Sequence, residues 1–127
     1  MSCTTADFLK VANRLSAGVE EIDWRCAISR AYYCAYHESL TCVHVCPEIG
    51  YVRGGMHQQT IERFCQSSDG TAKKLGYVLR DLRNRREAAD YKLDDMFVAS
   101  DAAHDIGMAE KALMLVHQLL AEYAKKK

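Results

Sequence analysis

Residues 20–45 read EEIDWRCAISRAYYCAYHESLTCVHV, with apolar residues recurring at helical spacing on two sides of the stretch. One stripe comprises Trp24, Ile28, Ala31, Ala35 and Cys42, and the other comprises Tyr33, Tyr36, Leu40 and Val43. A helix that is apolar on more than one face is usually enclosed by other helices. The sequence therefore predicts that residues 20–45 form the central helix of a bundle.

The flanking sequence predicts further helices and one long loop. Helical periodicity covers residues 4–18, residues 56–66, and a fourth segment that carries Leu75, Val78, Leu79 and Leu82 and ends near Ala89. The last helix has the longest repeat: Val98, Ala102, Ile106, Ala109, Leu113, Val116, Leu120 and Tyr123. Pro47 and three glycines place a loop at residues 46–55. We expect an all-α fold, an antiparallel four- or five-helix bundle, with residues 1–127 forming a single domain.

Composition narrows the class of protein. The chain has 127 residues, 49% of them hydrophobic, and its 17 basic residues balance its 17 acidic ones. Disorder and a membrane span are therefore excluded, no signal peptide is evident, and we expect a cytoplasmic location. A neutral chain is not a general polyanion binder, although it can carry a local basic patch.

The six cysteines are predicted to be reduced thiols that pack as small hydrophobic side chains. Cys42 and Cys46 would lie one helical turn apart, and Cys34 precedes His37 by three residues, but neither pair has a matching second pair of zinc ligands. No glycine-rich phosphate loop is present either. We therefore predict no metal and no cofactor.

Residues 73–86 are unusually basic. They contain six positive residues and one acid, Asp81; the positive residues are Lys73, Lys74, Arg80, Arg83, Arg85 and Arg86. Such a helix can bind phosphates or an acidic protein surface. Alternatively it is a solvated face whose arginines pair with nearby acids, for example Asp81 with Arg85.

A polar stripe crosses the predicted central helix. It comprises Arg30, Tyr33, His37, Thr41 and His44. Polar groups on an enclosed helix need partners, so the stripe indicates either an interhelical network with His37 bonded to a neighbour, or a cleft for a ligand or RNA.

Two motifs resemble a branch of the HEPN superfamily. Residues 29–37, SRAYYCAYH, are similar to its SRxYYAxFH signature, and residues 79–91, LRDLRNRREAADY, are similar to its LxxLxxxRxxADY ending. The resemblance implies a helical bundle that is commonly dimeric and encoded in toxin–antitoxin or other defence systems. It also implies a metal-independent ribonuclease whose arginine and histidine are separated by four to six intervening residues.

The sequence departs from the nuclease motif at the histidine. Asp90 and Tyr91 stand where the histidine is expected after Arg83 or Arg86, and an ionised carboxylate repels phosphate. Arg30 and His37 have the required spacing, but they lie on a different helix from the family's motif. If the chain were a nuclease, the resemblance would assign its chemistry to Arg83, Arg86, Asp90, Arg30 and His37.

We therefore expect a non-catalytic HEPN-like interaction module: an immunity protein, antitoxin or partner subunit that binds a cognate toxin or a nucleotidyltransferase-like protein. The alternatives are a metal-independent ribonuclease toxin and a module that binds RNA or a nucleotide without cleavage. A homodimer is also possible under the resemblance. The predicted binding residues are Arg80, Arg83, Arg85, Arg86, Tyr91, Arg30, Tyr33 and His37.

Overall fold

A computed structural model describes residues 2–126 and contains five α-helices with no strand in that range. They are α1 (Thr5–Ser16), α2 (Glu21–Ser39), α3 (Gly55–Cys65), α4 (Gly70–Tyr91) and α5 (Ala99–Lys125), with a short 3₁₀-helix at Val43–Val45. The predicted all-α helical bundle is therefore confirmed.

Contacts between helix ends establish how the helices run. Three bonds join the start of one helix to the end of its neighbour: Thr5 Oγ1 to Glu38 at 3.0 Å, Arg25 Nη1 to the Ala89 carbonyl at 2.9 Å, and Thr71 Oγ1 to Glu122 at 3.1 Å. Along α3, Gln58 bonds Arg83 at 2.7 Å and the later Glu62 pairs with the earlier Arg80 of α4. The pairs α1–α2, α2–α4, α3–α4 and α4–α5 are therefore antiparallel, and α2 and α5 run in the same direction.

The central helix is shorter than predicted. It ends at Ser39 rather than at Val45. At this end, Ser39 Oγ donates to the Tyr36 carbonyl at 2.6 Å, and Thr41 Oγ1 donates to the Glu38 carbonyl at 2.7 Å. Hydroxyl groups of this kind compete with the backbone bonds that would extend a helix. The predicted polar stripe therefore ends at His37, and the expectation that Thr41, His44 and the Cys42–Cys46 pair lie on this helix is wrong.

The core is formed mainly by α2, α3, α4 and α5, together with Ala12 of α1. The predicted stripe on α5 is correct in part: Ala102, Ile106, Ala109 and Val116 are buried, whereas Leu113 and Leu120 are only half-buried. Leu115 and Leu119 are buried instead. Because α5 packs against both α2 and α4, it buries a wider arc than a single apolar stripe.

The side chain of Arg25 connects the start of α2 to the end of α4 through hydrogen bonds. Its side chain is only 6% exposed, and its guanidinium donates to the carbonyls of Ala89 at 2.9 Å, Lys92 at 3.2 Å and Asp95. The last carbonyls of a helix have no partner within the helix. This one side chain satisfies the Ala89 carbonyl of α4 together with two carbonyls of the segment that follows the helix. The guanidinium also lies 4.8 Å from the centroid of the Phe97 ring.

Replacing Arg25 with Leu should lower the free energy of unfolding by about 2–5 kcal/mol, because it leaves buried carbonyl groups without donors. Urea unfolding followed by circular dichroism measures the effect. Arg14→Leu, at an exposed position in the last turn of α1, is the matched control and should change it by less than about 0.5 kcal/mol. Equal stability of the two variants would contradict the assigned role of Arg25.

Candidate functional site

Five side chains from three helices meet on one side of the bundle, and we call them the tyrosine–arginine cluster. They are Tyr32 and Tyr36 of α2, His57 of α3, and Arg83 and Arg86 of α4. The Tyr32 hydroxyl lies 2.6 Å from His57 Nδ1, and the His57 ring stacks on Tyr36 with centroids 3.9 Å apart and planes at 10°. The imidazole is thus held on two sides by buried tyrosines.

The turn before α3 places His57. Gly54 and Gly55 have φ values of 114° and 85°, which side-chain-bearing residues rarely adopt. α3 begins at Gly55, two residues before His57. The imidazole in the first turn of α3 is directed at Tyr32 and Tyr36 of α2.

His57 has a lowered pKa. Burial disfavours its charged form most, and the positive charges of Arg83 and Arg86 lower the pKa further, with a smaller effect from His37. The imidazole is accordingly neutral at pH 7 and can accept a proton or a hydrogen bond. Burial also raises the pKa of Tyr32, which keeps its hydroxyl protonated.

Each arginine of the cluster lies beside an acid, and aromatic rings lie against Arg86. Arg83 Nε lies 3.4 Å from Glu87, and Arg86 Nη1 lies 3.5 Å from Asp90. The Arg86 guanidinium also lies against the rings of Tyr33 and Tyr91, at 5.5 Å and 5.9 Å from their centroids. Within the described residues, neither buried Nε group makes a hydrogen bond, because the contact of Arg83 Nε with Glu87 is an ion pair that lacks hydrogen-bond geometry. Unsatisfied buried donors of this kind often mark a place that water, an ion or a ligand completes.

The sequence-predicted residues divide into two groups. Arg83 and Arg86 belong to the cluster, and Arg30, Tyr33, Asp90 and Tyr91 lie around it: Arg30 Nη2 donates to Ser29 Oγ at 3.2 Å, and Ser29 Oγ donates to Asp90 at 3.3 Å. Arg80 and Arg85 lie elsewhere. Arg80 pairs with Glu62 at 3.1 Å, and Arg85 pairs with Asp105 of α5.

The predicted Asp81–Arg85 pair is wrong. Arg85 Nε lies 2.5 Å from Asp105 Oδ1, and its Nη2 lies 3.5 Å from Asp101. Asp105 is fully buried, so α5 offers Arg85 a carboxylate shielded from water, where the attraction between the charges is stronger than at the surface. Since Arg80, Arg83, Arg85 and Arg86 all have carboxylate partners, the basic segment is largely neutralised within the fold.

His37 does not form the predicted interhelical hydrogen bond among the described residues. It is exposed near the end of α2, and its contacts are with rings: the Phe8 centroid lies 5.2 Å away and the Tyr33 centroid 6.2 Å away.

Sequence reasoning missed His57. The signal that could have found it is the predicted inward face of the third helix, because His57 precedes the buried Ile61 by one helical turn. A histidine on that face must meet a neighbouring helix. The spacing alone could not show that the neighbour presents Tyr32.

The cysteines fall into two groups. Cys34, Cys42, Cys46 and Cys65 are buried, which confirms the packing role predicted for them, whereas Cys3 and Cys26 are exposed. Burial raises the pKa of Cys34 to about 11 and that of Cys42 to about 12, so both remain thiols at neutral pH. No group of three or more potential metal ligands is assembled within residues 2–126.

Comparison with protein-family models, with curated proteins and with solved structures finds no match for this chain. The HEPN resemblance therefore stays a prediction that rests on two motifs. No helix within the described part of the chain combines the length and apolar character needed to cross a membrane.

The lowered pKa of His57 predicts a pH-dependent stability. The unfolded chain takes up a proton on His57 as the pH falls through its ordinary pKa of 6.5, whereas the folded chain resists protonation there. The contribution of this group to stability is therefore intact above pH 6.5 and decreases below it. We expect the Tm of His57→Gln to fall less than that of the wild type between about pH 7.5 and about pH 5.5.

Differential scanning calorimetry at both pH values checks this, with His117→Gln, a change at an exposed position on α5, as the control. The control should keep the pH dependence of the wild type. An unchanged pH dependence in His57→Gln would contradict the assigned environment of His57.

Proposed function

We propose that the tyrosine–arginine cluster binds a phosphate-bearing ligand, RNA or a nucleotide, without needing a metal. The observation that carries the proposal is the convergence of Arg83 and Arg86 on a neutral histidine flanked by tyrosines. Arginine presents several donors in a fixed plane that suits phosphate oxygens, and aromatic side chains supply stacking surfaces for bases.

The charges of the cluster suit a single phosphate group of a ligand rather than a run of several phosphates. Arg83 and Arg86 are each accompanied by one carboxylate, while Arg30 forms no ion pair within residues 2–126. Protonation of His57 would add positive charge, which the two arginines oppose. A phosphate would bring negative charge, which the arginines of the cluster can accommodate. Its oxygens would also accept hydrogen bonds from the remaining arginine N–H groups.

The cluster favours ligand binding over the protein partner, which the sequence placed first. The sequence placed a protein partner first because the arginine-bearing helix lacks the histidine of the nuclease motif. His57 supplies a neutral imidazole to the same arginines from another helix. Such a group could accept the 2′-hydroxyl proton of RNA while arginine stabilises charge on the phosphate, so cleavage is tested together with binding.

A protein partner is the second candidate, and a specific observation favours it. Three large apolar side chains at the end of α4 and in the loop after it are exposed: Tyr91 at 74%, Leu93 at 77% and Met96 at 82%. Exposed apolar groups beside arginines are typical of protein interfaces, where aromatic residues and arginine contribute much of the affinity. This surface fits an antitoxin or immunity role as the sequence predicted it.

Binding to RNA can be measured by the fluorescence anisotropy of a short labelled single strand at several salt concentrations. Arg86→Gln should weaken the affinity by roughly tenfold or more and reduce its salt dependence, because it removes a charged donor to phosphate. Arg80→Gln, on the same helix but paired with Glu62, is the matched control and should leave the affinity unchanged. Absence of binding by the wild type at low salt would overturn the proposal.

The RNA recovered from this experiment distinguishes binding from cleavage. Intact RNA supports a binding module, whereas RNA cut in the presence of a chelator by the wild type, and not by His57→Gln, assigns metal-independent cleavage to His57. Circular dichroism of each variant checks that it remains folded.

The protein-partner candidate has its own test. Leu93→Asp combined with Met96→Asp should abolish a stoichiometric complex recovered with the tagged protein, because charges would replace apolar contacts. Met114→Asp, at a 71% exposed position on α5, is the control and should preserve the complex. If the double variant retains the same partner, the loop surface is not the interface.

A further inference from the structure

A cleft beside the tyrosine–arginine cluster lies between α1 and α2, and we call it the N-terminal cleft. It consists of two adjoining cavities that share Cys3 and Phe8 in their walls. One, of about 200 Å³, is also lined by Asp7, Val11 and Arg30; the other, of about 390 Å³, is also lined by Thr4, Thr5, His37 and Thr41. The larger volume falls within the range of small-molecule sites, about 300–1,000 Å³.

The walls of the cleft are aromatic and cationic. The half-buried Phe8 ring lies 5.2 Å from the His37 ring and 5.7 Å from the Arg30 guanidinium carbon. Planar side chains of this kind offer faces on which a flat ring can stack, and a guanidinium above an aromatic ring adds a cation–π contact.

Tyr33 connects the cleft to the tyrosine–arginine cluster. Its ring centroid lies 5.0 Å from the Arg30 guanidinium carbon and 5.5 Å from that of Arg86. An arginine of the cleft and an arginine of the cluster thus lie against the same ring. Unlike Arg86, Arg30 has no carboxylate partner among residues 2–126 and keeps its charge available to a ligand.

We propose that the N-terminal cleft is a nucleobase subsite, in which an unpaired base stacks on Phe8. Arg30 binds the phosphate attached to that base, on the side of the cleft that faces Arg86. This inference rests on the proposed function, since the cluster must bind the adjoining phosphate. The ligand is a base attached to phosphate, either in a free nucleotide or in a single strand, and a duplex cannot present a base in this way.

Asp7 gives the subsite a preference among bases. Its carboxylate lies in the wall of the smaller cavity and accepts a bond from the Thr4 backbone N–H at 2.8 Å. A carboxylate can accept from the exocyclic amino group of adenine or cytosine, but uracil has no such group. We therefore expect adenine or cytosine to be preferred to uracil.

The test compares the ligands pyrophosphate, AMP, single-stranded oligo(rA), oligo(rC) and oligo(rU), and duplex RNA by isothermal titration calorimetry and anisotropy. Phe8→Leu keeps an apolar side chain but removes the stacking face, so it should weaken the oligo(rA) affinity by roughly fivefold or more and leave pyrophosphate binding unchanged. Tyr77→Leu is the matched control, because Tyr77 also lies beneath an arginine, Arg80, but outside the cleft.

Each outcome separates this inference from the proposed function. Wild-type RNA binding that survives Phe8→Leu undiminished, or duplex RNA bound as tightly as single strands, overturns the nucleobase subsite and leaves the phosphate site standing. No binding to any of the ligands overturns both. If Phe8→Leu lowers the affinity for AMP by the same factor as the affinity for oligo(rA), the free nucleotide suffices as ligand. If the wild type binds oligo(rA) much more tightly than AMP, a single strand is the source of the base.

Discussion

The structure depends on the enclosure of α2, which packs against α1, α4 and α5 while carrying polar side chains. A polar group removed from water without a partner is costly, so each such side chain must find a donor or acceptor on another element. Arg25 donates to a carbonyl at the end of α4, Ser29 donates to Asp90, and the Tyr32 hydroxyl bonds the imidazole of His57. The partners of α2 thereby fix where α3 and α4 lie.

The same requirement creates the candidate site. Tyr32 and Tyr36 hold His57 beside α4, and the arginines that approach it make its protonation unfavourable. A neutral imidazole, two guanidinium groups and several aromatic faces then occupy a small region of a protein whose formal net charge is zero. The contacts that hold α2 and α3 together also form the candidate site, so a change to Tyr32 would affect both the stability of the fold and the geometry of the site.

The fold decides which of the basic residues face the cluster. Arg80 and Arg85 are directed to Glu62 and Asp105, away from the cluster, whereas the contacts of Arg30 within residues 2–126 are with aromatic rings and Ser29. A basic segment in a sequence therefore does not by itself identify a binding surface. What matters is where the fold directs each guanidinium group: Arg83 and Arg86 approach His57 although each has a carboxylate partner.

The all-α class, a bundle of four or five helices and the central place of α2 follow from the sequence, because helical periodicity and glycine or proline positions are local signals. The sequence also predicted Arg83 and Arg86 among several candidate binding residues. The end of α2 at Ser39, the buried arc of α5, the partner of Arg85 and the role of His57 depended on the tertiary structure. Each of these is set by a neighbour distant along the chain, and spacing within one helix carries no information about which side chain a second helix brings opposite to it.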